Sequence, residues 1–333
     1  MNIVVSLNAN YLRPLCVMLR SLLDANPGEE ADVYVLQACL SREAFSFARS
    51  ALPDGRLRLF DVRVPEDFMA DAPVLFHFPK EMYYRIFSAR LLPQTLGRAL
   101  YLDPDMVINR PLAPLYGMEL GEHFFAAARS VNPVSQVEYK LRLDMPEESE
   151  YFNSGVLLMN LDALRAGQDC DEVTEFIRAH REKLILPDQD VLNAHCEGRV
   201  TYLPYDWNVM IDCANRIANV FSHAPAAVFD AFNDSRGHEK IVHYAGFEKP
   251  WKMTNCDRFE LYWEYAPFRE RLMALLWKAS MPALAASPSA IDDHECAVSD
   301  DSPLRKIIDP IAPFGTARRE VLKSIGRAVQ GKK

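Results

Sequence analysis

The stretch NIVVSLNANYLRPLCVMLRSLLDAN, residues 2–26, decides the fold. Its first six residues form a short apolar, β-branched run, which predicts a buried strand. Pro14 suits the first turn of a helix, where a missing N–H costs nothing. Leu15, Leu19 and Leu22 recur on one stripe and Pro27-Gly28 supplies a stop, so a helix is predicted from Pro14 to about Asn26. Working outward, DVYVLQA (32–38) and LRLFDVRV (57–64) read as further strands. Between them SREAFSFARSAL (41–52) is helical, with Ser41 and Ala44 fitting a cap and first turn. Strand and helix alternating at this spacing is the α/β pattern and implies a parallel sheet. Ligands of such sheets bind beyond the carboxyl ends of the strands.

The pattern continues with a helix around EMYYRIFSARLLP (81–93) and strands at RALYLD (98–103), FFAAAR (124–129), SGVLLMN (154–160) and RVTYL (199–203). Helices are predicted from about Cys170 to Lys183 and from about Pro187. There is no internal repeat. Residues 281–303 are rich in Ala, Ser, Pro and Asp without periodicity and read as a linker. The expected organisation is a catalytic domain over 1–280, the linker, and a basic tail over 304–333.

At 333 residues, 49% hydrophobic and 25% charged, the chain has the composition of a globular protein. It contains no run of about 18 apolar residues to span a bilayer and opens without the basic, then oily, pattern of a secretion signal, so a cytoplasmic location is expected. Its seven cysteines are scattered and form no C-x-x-C pair, which argues for reduced thiols and against structural zinc. Residues 302–333 hold eight Lys/Arg against Asp309 and Glu320, a surplus of six; with a total of −9, the rest carries −15. An acidic body excludes general nucleic-acid binding, which needs a broad basic face.

Four stretches carry the chemistry. ALYLDPDMVIN (99–109) sets Asp103 and Asp105 around Pro104 at a strand end. Side chains two apart in an extended chain share a side, and Pro104 stiffens the presentation. Two such carboxylates repel unless a cation sits between them, and Mg²⁺ or Mn²⁺ suits their hard oxygens. IVHYAGFEKPW (241–251) adds His243, a nitrogen ligand suited to Mn²⁺, with Gly246 for close backbone approach and Lys249 as a point charge for phosphate. EYFNSGVLLMNL (150–161) delivers Asn153, Ser154 and Gly155 just before an apolar strand. LPDQDVLN (186–193) begins a helix in a way expected to expose Asp188 and Gln189, with Asp190 next in line.

Together these pieces resemble glycosyltransferase family 8, retaining sugar transferases with a GT-A fold, a Rossmann-like mixed sheet flanked by helices. The likeness covers roughly residues 1–255, through NIVVSLNANY, YYRIF, YLDPDMVI, FNSGVLLMNL, PDQDVLN and HYAGFEKPW in order, and is closest in character to bacterial lipo-oligosaccharide galactosyltransferases. The resemblance implies a UDP-hexose donor, a glycan or glycolipid acceptor of lipopolysaccharide type, and Mn²⁺ or Mg²⁺ held by Asp103, Asp105 and His243. It also implies that Ser6, Asn8, Asn10 and Tyr11 grip uridine. Arg85, Asn153, His77 and Pro104 would lie along the donor sugar and its phosphates, and Gly246 and Lys249 on the diphosphate. Asp188 and Gln189 would touch the hexose near its reacting carbon. Asp190 is an available nucleophile if the reaction takes a covalent detour, and a front-face route would need none.

The chain departs from the family at position 8, usually Asp and here Asn, and at Arg129-Ser130, where bacterial galactosyltransferases of the family carry an acidic residue. The loop from about Pro133 to Glu150 and the segment FNDSRGHEK (232–240) are expected to shape the acceptor side. In the tail, Leu304, Ile307, Ile308 and Ile311, then Val321, Leu322, Ile325 and Val329, recur at helical spacing among basic residues. Such a helix lies on an anionic membrane surface, here the inner face, or packs on the acidic body. Two other readings remain at this point. One is a D-x-D phosphotransferase of the haloacid dehalogenase class, which leaves HYAGFEKPW unexplained. The other is a sugar-nucleotide or glycan-binding protein without catalysis.

Overall fold

The computed structural model describes residues 1–65, 67–69, 72–73, 80–130, 139–146, 148–211, 226–246 and 249–280. His77, the linker and the basic tail fall outside them, as does part of the expected acceptor loop. The described strands are β1 (Asn2–Ser6), β2 (Ala31–Gln37), β3 (Leu57–Arg63), β4 (Arg98–Leu102), β5 (Met106–Ile108), β6 (Phe125–Arg129), β7 (Phe152–Asn160), β8 (Val200–Leu203), β9 (Val209–Met210) and β10 (Ile241–His243). Seven form one sheet in the order β3-β2-β1-β4-β7-β6-β8, and three form a second, β5-β10-β9.

The parallel sheet expected from the first half of the chain holds across β3, β2, β1 and β4. Beyond β4 the direction reverses: β7 runs antiparallel to both β4 and β6, so the sheet is mixed. That reversal builds the site. Leu102, at the end of β4, faces Val156, midway along β7, so the residues that begin β7 stand beside those that follow β4. Ser6, at the carboxyl end of β1, belongs to the same edge, because Val4 pairs with Tyr101.

Alternation along the strands feeds two cores. Ile3, Val5, Leu100, Leu102, Val156 and Leu158 face helices α1 (Leu12–Ala25) and α2 (Arg42–Ala51), which bury Leu15, Leu19, Leu22 and Phe45 on them. Val4, Ala99, Tyr101, Leu157 and Met159 face α3 (Leu161–Gly167), α4 (Cys170–Ala179) and α5 (Pro187–His195) on the other side. Each such buried aliphatic side chain contributes about 1.5–3 kcal/mol by leaving water. A third cluster, Val17, Val107, Ile211, Val242 and Tyr262, ties α1 and the small sheet to α6 (Phe259–Glu264), which leads into α7 (Phe268–Ser280).

Two local expectations change. Residues 81–93 are not one helix but a 3₁₀ stretch, Lys80–Arg85, followed by a single turn, Ser88–Leu91. Tyr83, Tyr84, Arg85, Ile86 and Phe87 are all buried, so no exposed face sets an α-helical period there. The helix from Cys170 ends at Ala179 rather than near Lys183. Of FNDSRGHEK, only Phe232–Ser235 closes a helix, Ala226–Ser235.

Candidate active site

After Leu102 the chain bends through Asp103-Pro104-Asp105 and re-enters regular structure as β5 of the small sheet. Both ends of the bend are clamped: Asp103 N–H donates to Gly155 O at 2.9 Å, and Tyr244 N–H donates to Asp105 O at 2.9 Å. His243 pairs with Met106 across β10 and β5, which brings its ring over the bend. Its Nε2 lies 3.6 Å from Asp103 Oδ2 and 3.4 Å from Asp105 Oδ1. One donor atom from each of the three residues lies within 4.8 Å of the others. The carboxylates do share a side, through a bend between two sheets rather than by strand alternation.

Room for the His243 ring and the Asp103 carboxylate is made by Gly155. A Cβ there would stand 2.9 Å from Asp103 Oδ2 and from His243 Nδ1, tighter than real contacts allow. Two carboxylates and one imidazole so placed fit a divalent cation of the Mn²⁺ or Mg²⁺ kind.

The surrounding charges are ordered. Arg85 is buried and places Nη2 2.9 Å from Asp103 Oδ1 and Nε 3.1 Å from Asp188 Oδ2. Its Nη1 donates to Ser154 O at 2.9 Å, and its guanidinium lies 4.5 Å over the Tyr101 ring. Burial alone would weaken this cation, but Asp103 and Asp188 outweigh it and raise its pKa. Tyr101 hydroxyl donates to Asp103 Oδ1 at 2.9 Å and bonds Ser6 Oγ at 2.8 Å.

Asp188 and Gln189 were expected at the surface; both are buried, because α5 starts against β7 and the 80–85 stretch. Desolvation raises the Asp188 carboxyl pKa, and Arg85 offsets this only in part. Its Oδ2 accepts from Ser154 Oγ at 2.8 Å, while its Oδ1 is buried without a hydrogen-bond partner among the described residues. Gln189 Oε1 accepts from Asn153 Nδ2 at 2.9 Å and from Ser154 N–H at 3.2 Å.

Asp190 is committed elsewhere. Tyr151 hydroxyl donates to its Oδ1 at 2.5 Å, while Arg142, Ile185 N–H and Leu186 N–H hold Oδ2 at 3.0, 2.8 and 3.1 Å. Its carboxylate thus ties down the start of α5, with both oxygens held by partners rather than open towards the cluster.

Lys249 is likewise held inside the cluster. Its ammonium is buried 2.5 Å from Asp105 Oδ2 and also donates to Tyr244 O, so it sits behind the acid rather than aimed outward. Burial disfavours the Lys249 cation, yet Asp105 raises its pKa; burial likewise disfavours the Asp105 anion, yet Lys249 holds it below the usual carboxylate range. The Tyr11 ring centroid lies 6.0 Å from this ammonium, and its hydroxyl pKa is raised by burial and by Asp105. Asn8 caps the 3₁₀ turn Ala9–Tyr11 by accepting from Asn10 N–H at 3.0 Å. Gly246 has φ 72°, a left-handed conformation that glycine adopts freely.

The model of the glycosyl transferase family 8 matches residues 2–255. The chain belongs to that family. It is 24% identical over 288 residues to lipopolysaccharide 1,2-glucosyltransferase of Escherichia coli (strain K12), covering 86% of this chain and 82% of that one. General stress protein A of Bacillus subtilis (strain 168) is 26% identical over 286 residues, covering 80% and 93% respectively. Among solved structures, the galactosyltransferase LgtC in complex with donor and acceptor sugar analogues superposes with a TM-score of 0.68 at 25% identity, over 85% of this chain and 98% of that one.

The fold is therefore GT-A, and the protein is a family 8 glycosyltransferase, which sets aside the phosphotransferase and the binding-protein readings. Around the metal-type cluster this family 8 enzyme brings together Ser6, Tyr11, Arg85, Asp103, Asp105, Asn153, Asp188, Gln189, His243 and Lys249. Two participants were not read from the sequence. Tyr101 was counted only as a strand residue. Asn208 is 1% exposed, and its Oδ1 lies 2.9 Å from His243 Nδ1 while its Nδ2 donates to Asn153 Oδ1 at 2.8 Å. The one sequence signal was an asparagine set between Trp207 and Val209, a polar residue in apolar company.

Proposed function

We propose that this family 8 enzyme moves a hexose, galactose or glucose, from a UDP-sugar to a glycan or lipopolysaccharide-type acceptor with retention of configuration. The observation that carries the reading is the convergence of Asp103, Asp105 and His243, backed by Arg85 and Lys249. A bound Mn²⁺, or Mg²⁺, would supply Lewis-acid stabilisation of the charge that grows on the departing diphosphate, an effect of several kcal/mol. The chain's own groups do the rest. Lys249 adds positive charge behind the same leaving group, and Gly246 allows close backbone approach. Ser6, Asn8, Asn10 and Tyr11 rim the uridine end. Asn8 keeps an amide oxygen that accepts from the uracil N–H as the family's Asp would.

Asp188 Oδ1, partnerless among the described residues, supports a contact with a hexose hydroxyl, since a buried acceptor without a donor is costly and a sugar O–H would satisfy it. With Asp190 committed to α5, and Gln189 Oε1 already accepting two hydrogen bonds, the set favours front-face attack, with the departing phosphate taking the acceptor's proton. Arg129 pairs with Glu150 at 3.2 Å and covers Tyr202 at 4.6 Å, which supports an acceptor face unlike that of the family's galactosyltransferases.

No helix among the described residues is long and apolar enough to cross a membrane. The basic periodicity of residues 304–333 supports an anionic membrane surface on the cytoplasmic side as a partner, where lipid-linked acceptors reside. The deciding experiment is a thermal-shift and hydrolysis screen of nucleotide sugars with and without Mn²⁺. Stabilisation and slow metal-dependent hydrolysis by one UDP-hexose are expected; equal response to GDP-sugars, or none to any donor, would refute the reading. Deleting 302–333 should lower binding to anionic liposomes while sparing hydrolysis, and unchanged binding would refute the tail assignment.

A further inference from the structure

We infer that Asn208 is a positioning residue that fixes the tautomer of His243, holding Nδ1 protonated so that the lone pair of Nε2 faces the ion site. The inference rests on the metal reading above for its consequence, and on hydrogen-bond directions for its argument. Amide and imidazole orientations follow from their partners, and here two backbone N–H groups set them all. Gly155 N–H donates to Asn153 Oδ1 at 2.9 Å, and a backbone N–H has no other role to play. That oxygen is therefore an acceptor, and the Asn208 atom 2.8 Å from it must be Nδ2. Turning Asn208 over would set two oxygens against each other, and turning Asn153 as well would set its NH₂ against Gly155 N–H.

With Nδ2 committed, the atom that faces His243 Nδ1 at 2.9 Å is Oδ1, an acceptor. Nδ1 must then carry the proton. In the neutral ring that leaves Nε2 unprotonated, and Nε2 is the nitrogen turned towards Asp103 and Asp105. The second anchor is Ser154 N–H, which donates to Gln189 Oε1 at 3.2 Å; Asn153 Nδ2 donates to the same oxygen at 2.9 Å. One chain of bonds therefore runs from α5 through Asn153 and Asn208 to His243, with its polarity set by the residues that open β7. No charged group takes part between Gln189 and His243. Asn208 is 1% exposed and cannot trade these partners for water.

Partners that orient a ligating histidine typically change metal affinity 10- to 100-fold when removed. The test uses full-length protein labelled with ¹⁵N-histidine, in alkaline buffer without metal. The His243 signals are identified by their loss in His243→Gln. Wild type should show the Nδ1–H tautomer, and Asn208→Ala should gain the Nε2–H form. In parallel, free Mn²⁺ measured by electron paramagnetic resonance, without donor, should report a Kd raised about 10- to 100-fold in Asn208→Ala. Asn208→Asp keeps an acceptor for Nδ1–H and should restore the Nδ1–H tautomer, with a loss of stability because its second oxygen then faces Asn153 Oδ1. An Nε2–H tautomer in wild type would overturn the inference whether or not any variant folds. So would a Kd in Asn208→Ala within twofold of wild type. Failure of wild type to bind Mn²⁺ would sink the metal reading instead, and the tautomer would still decide the role of Asn208.

Discussion

Lys249 and Asp105, 144 residues apart in sequence, meet at 2.5 Å as a buried ion pair beneath the metal-type cluster. Breaking a buried pair by removing one partner leaves an uncompensated charge and costs about 3–5 kcal/mol. Lys249→Met should therefore lower stability by that order in urea denaturation. Adding Asp105→Asn should recover much of the loss, because the two changes remove one interaction. Strict additivity in the double-mutant cycle would show that the pair is not coupled.

Asp103→Asn, Asp105→Asn and His243→Gln each remove one ligand of the cluster. Metal-dependent turnover should fall by more than about 100-fold, equivalent to several kcal/mol of lost charge stabilisation. Isothermal titration with Mn²⁺ should show the matching loss of affinity. Asp103→Asn should also lower stability, since Arg85 then keeps Asp188 as its one acidic partner among the described residues.

Gly155→Ala inserts a methyl group 2.9 Å from Asp103 Oδ2 and His243 Nδ1. The backbone there does not require glycine, so the effect is steric: about 1–3 kcal/mol of stability and a displaced ligand pair. A stability change in that range with a weakened Mn²⁺ response is expected. Unchanged binding would mean that the ion site lies away from β7.

Glu239 pairs with Arg258 at 2.6 Å beside β10. Burial disfavours the Glu239 anion, but the hydrogen bond from Arg258 prevails and holds its pKa below the usual glutamate range. A depressed carboxyl contributes stability that is present above its unfolded pKa and lost as pH falls through the folded one. Wild type should therefore lose stability faster than Glu239→Gln on acidification below about pH 4.5. Parallel acid-unfolding curves for the two proteins would contradict this.

Much of the fold was legible because its signals are local. The apolar run of residues 2–7, the stripe of Leu15, Leu19 and Leu22, and the Ser41 cap each depend on neighbours a few residues away, and each element formed where the pattern placed it. The Asp103-Pro104-Asp105 bend and His243 were legible as chemistry, because carboxylates and imidazole in such settings have few uses. The 3₁₀ stretch at 80–85 was not, since it exists only because its side chains are buried on every side by distant elements.

What the sequence determined by itself is the set of elements and the inventory of charges, ligands and glycines. What only the tertiary structure decided is who meets whom. The reversal of β7 carried Asn153 and Gly155 to the end of β4. The packing of α5 sank Asp188 and Gln189 and committed Asp190, and the second sheet brought His243, Asn208 and Lys249 onto the bend. The physical reason is range: hydrophobic period and capping act over one or two turns of chain. Strand pairing and burial join residues more than a hundred positions apart, and the burial that follows is what sets the charge, tautomer and partners of each group.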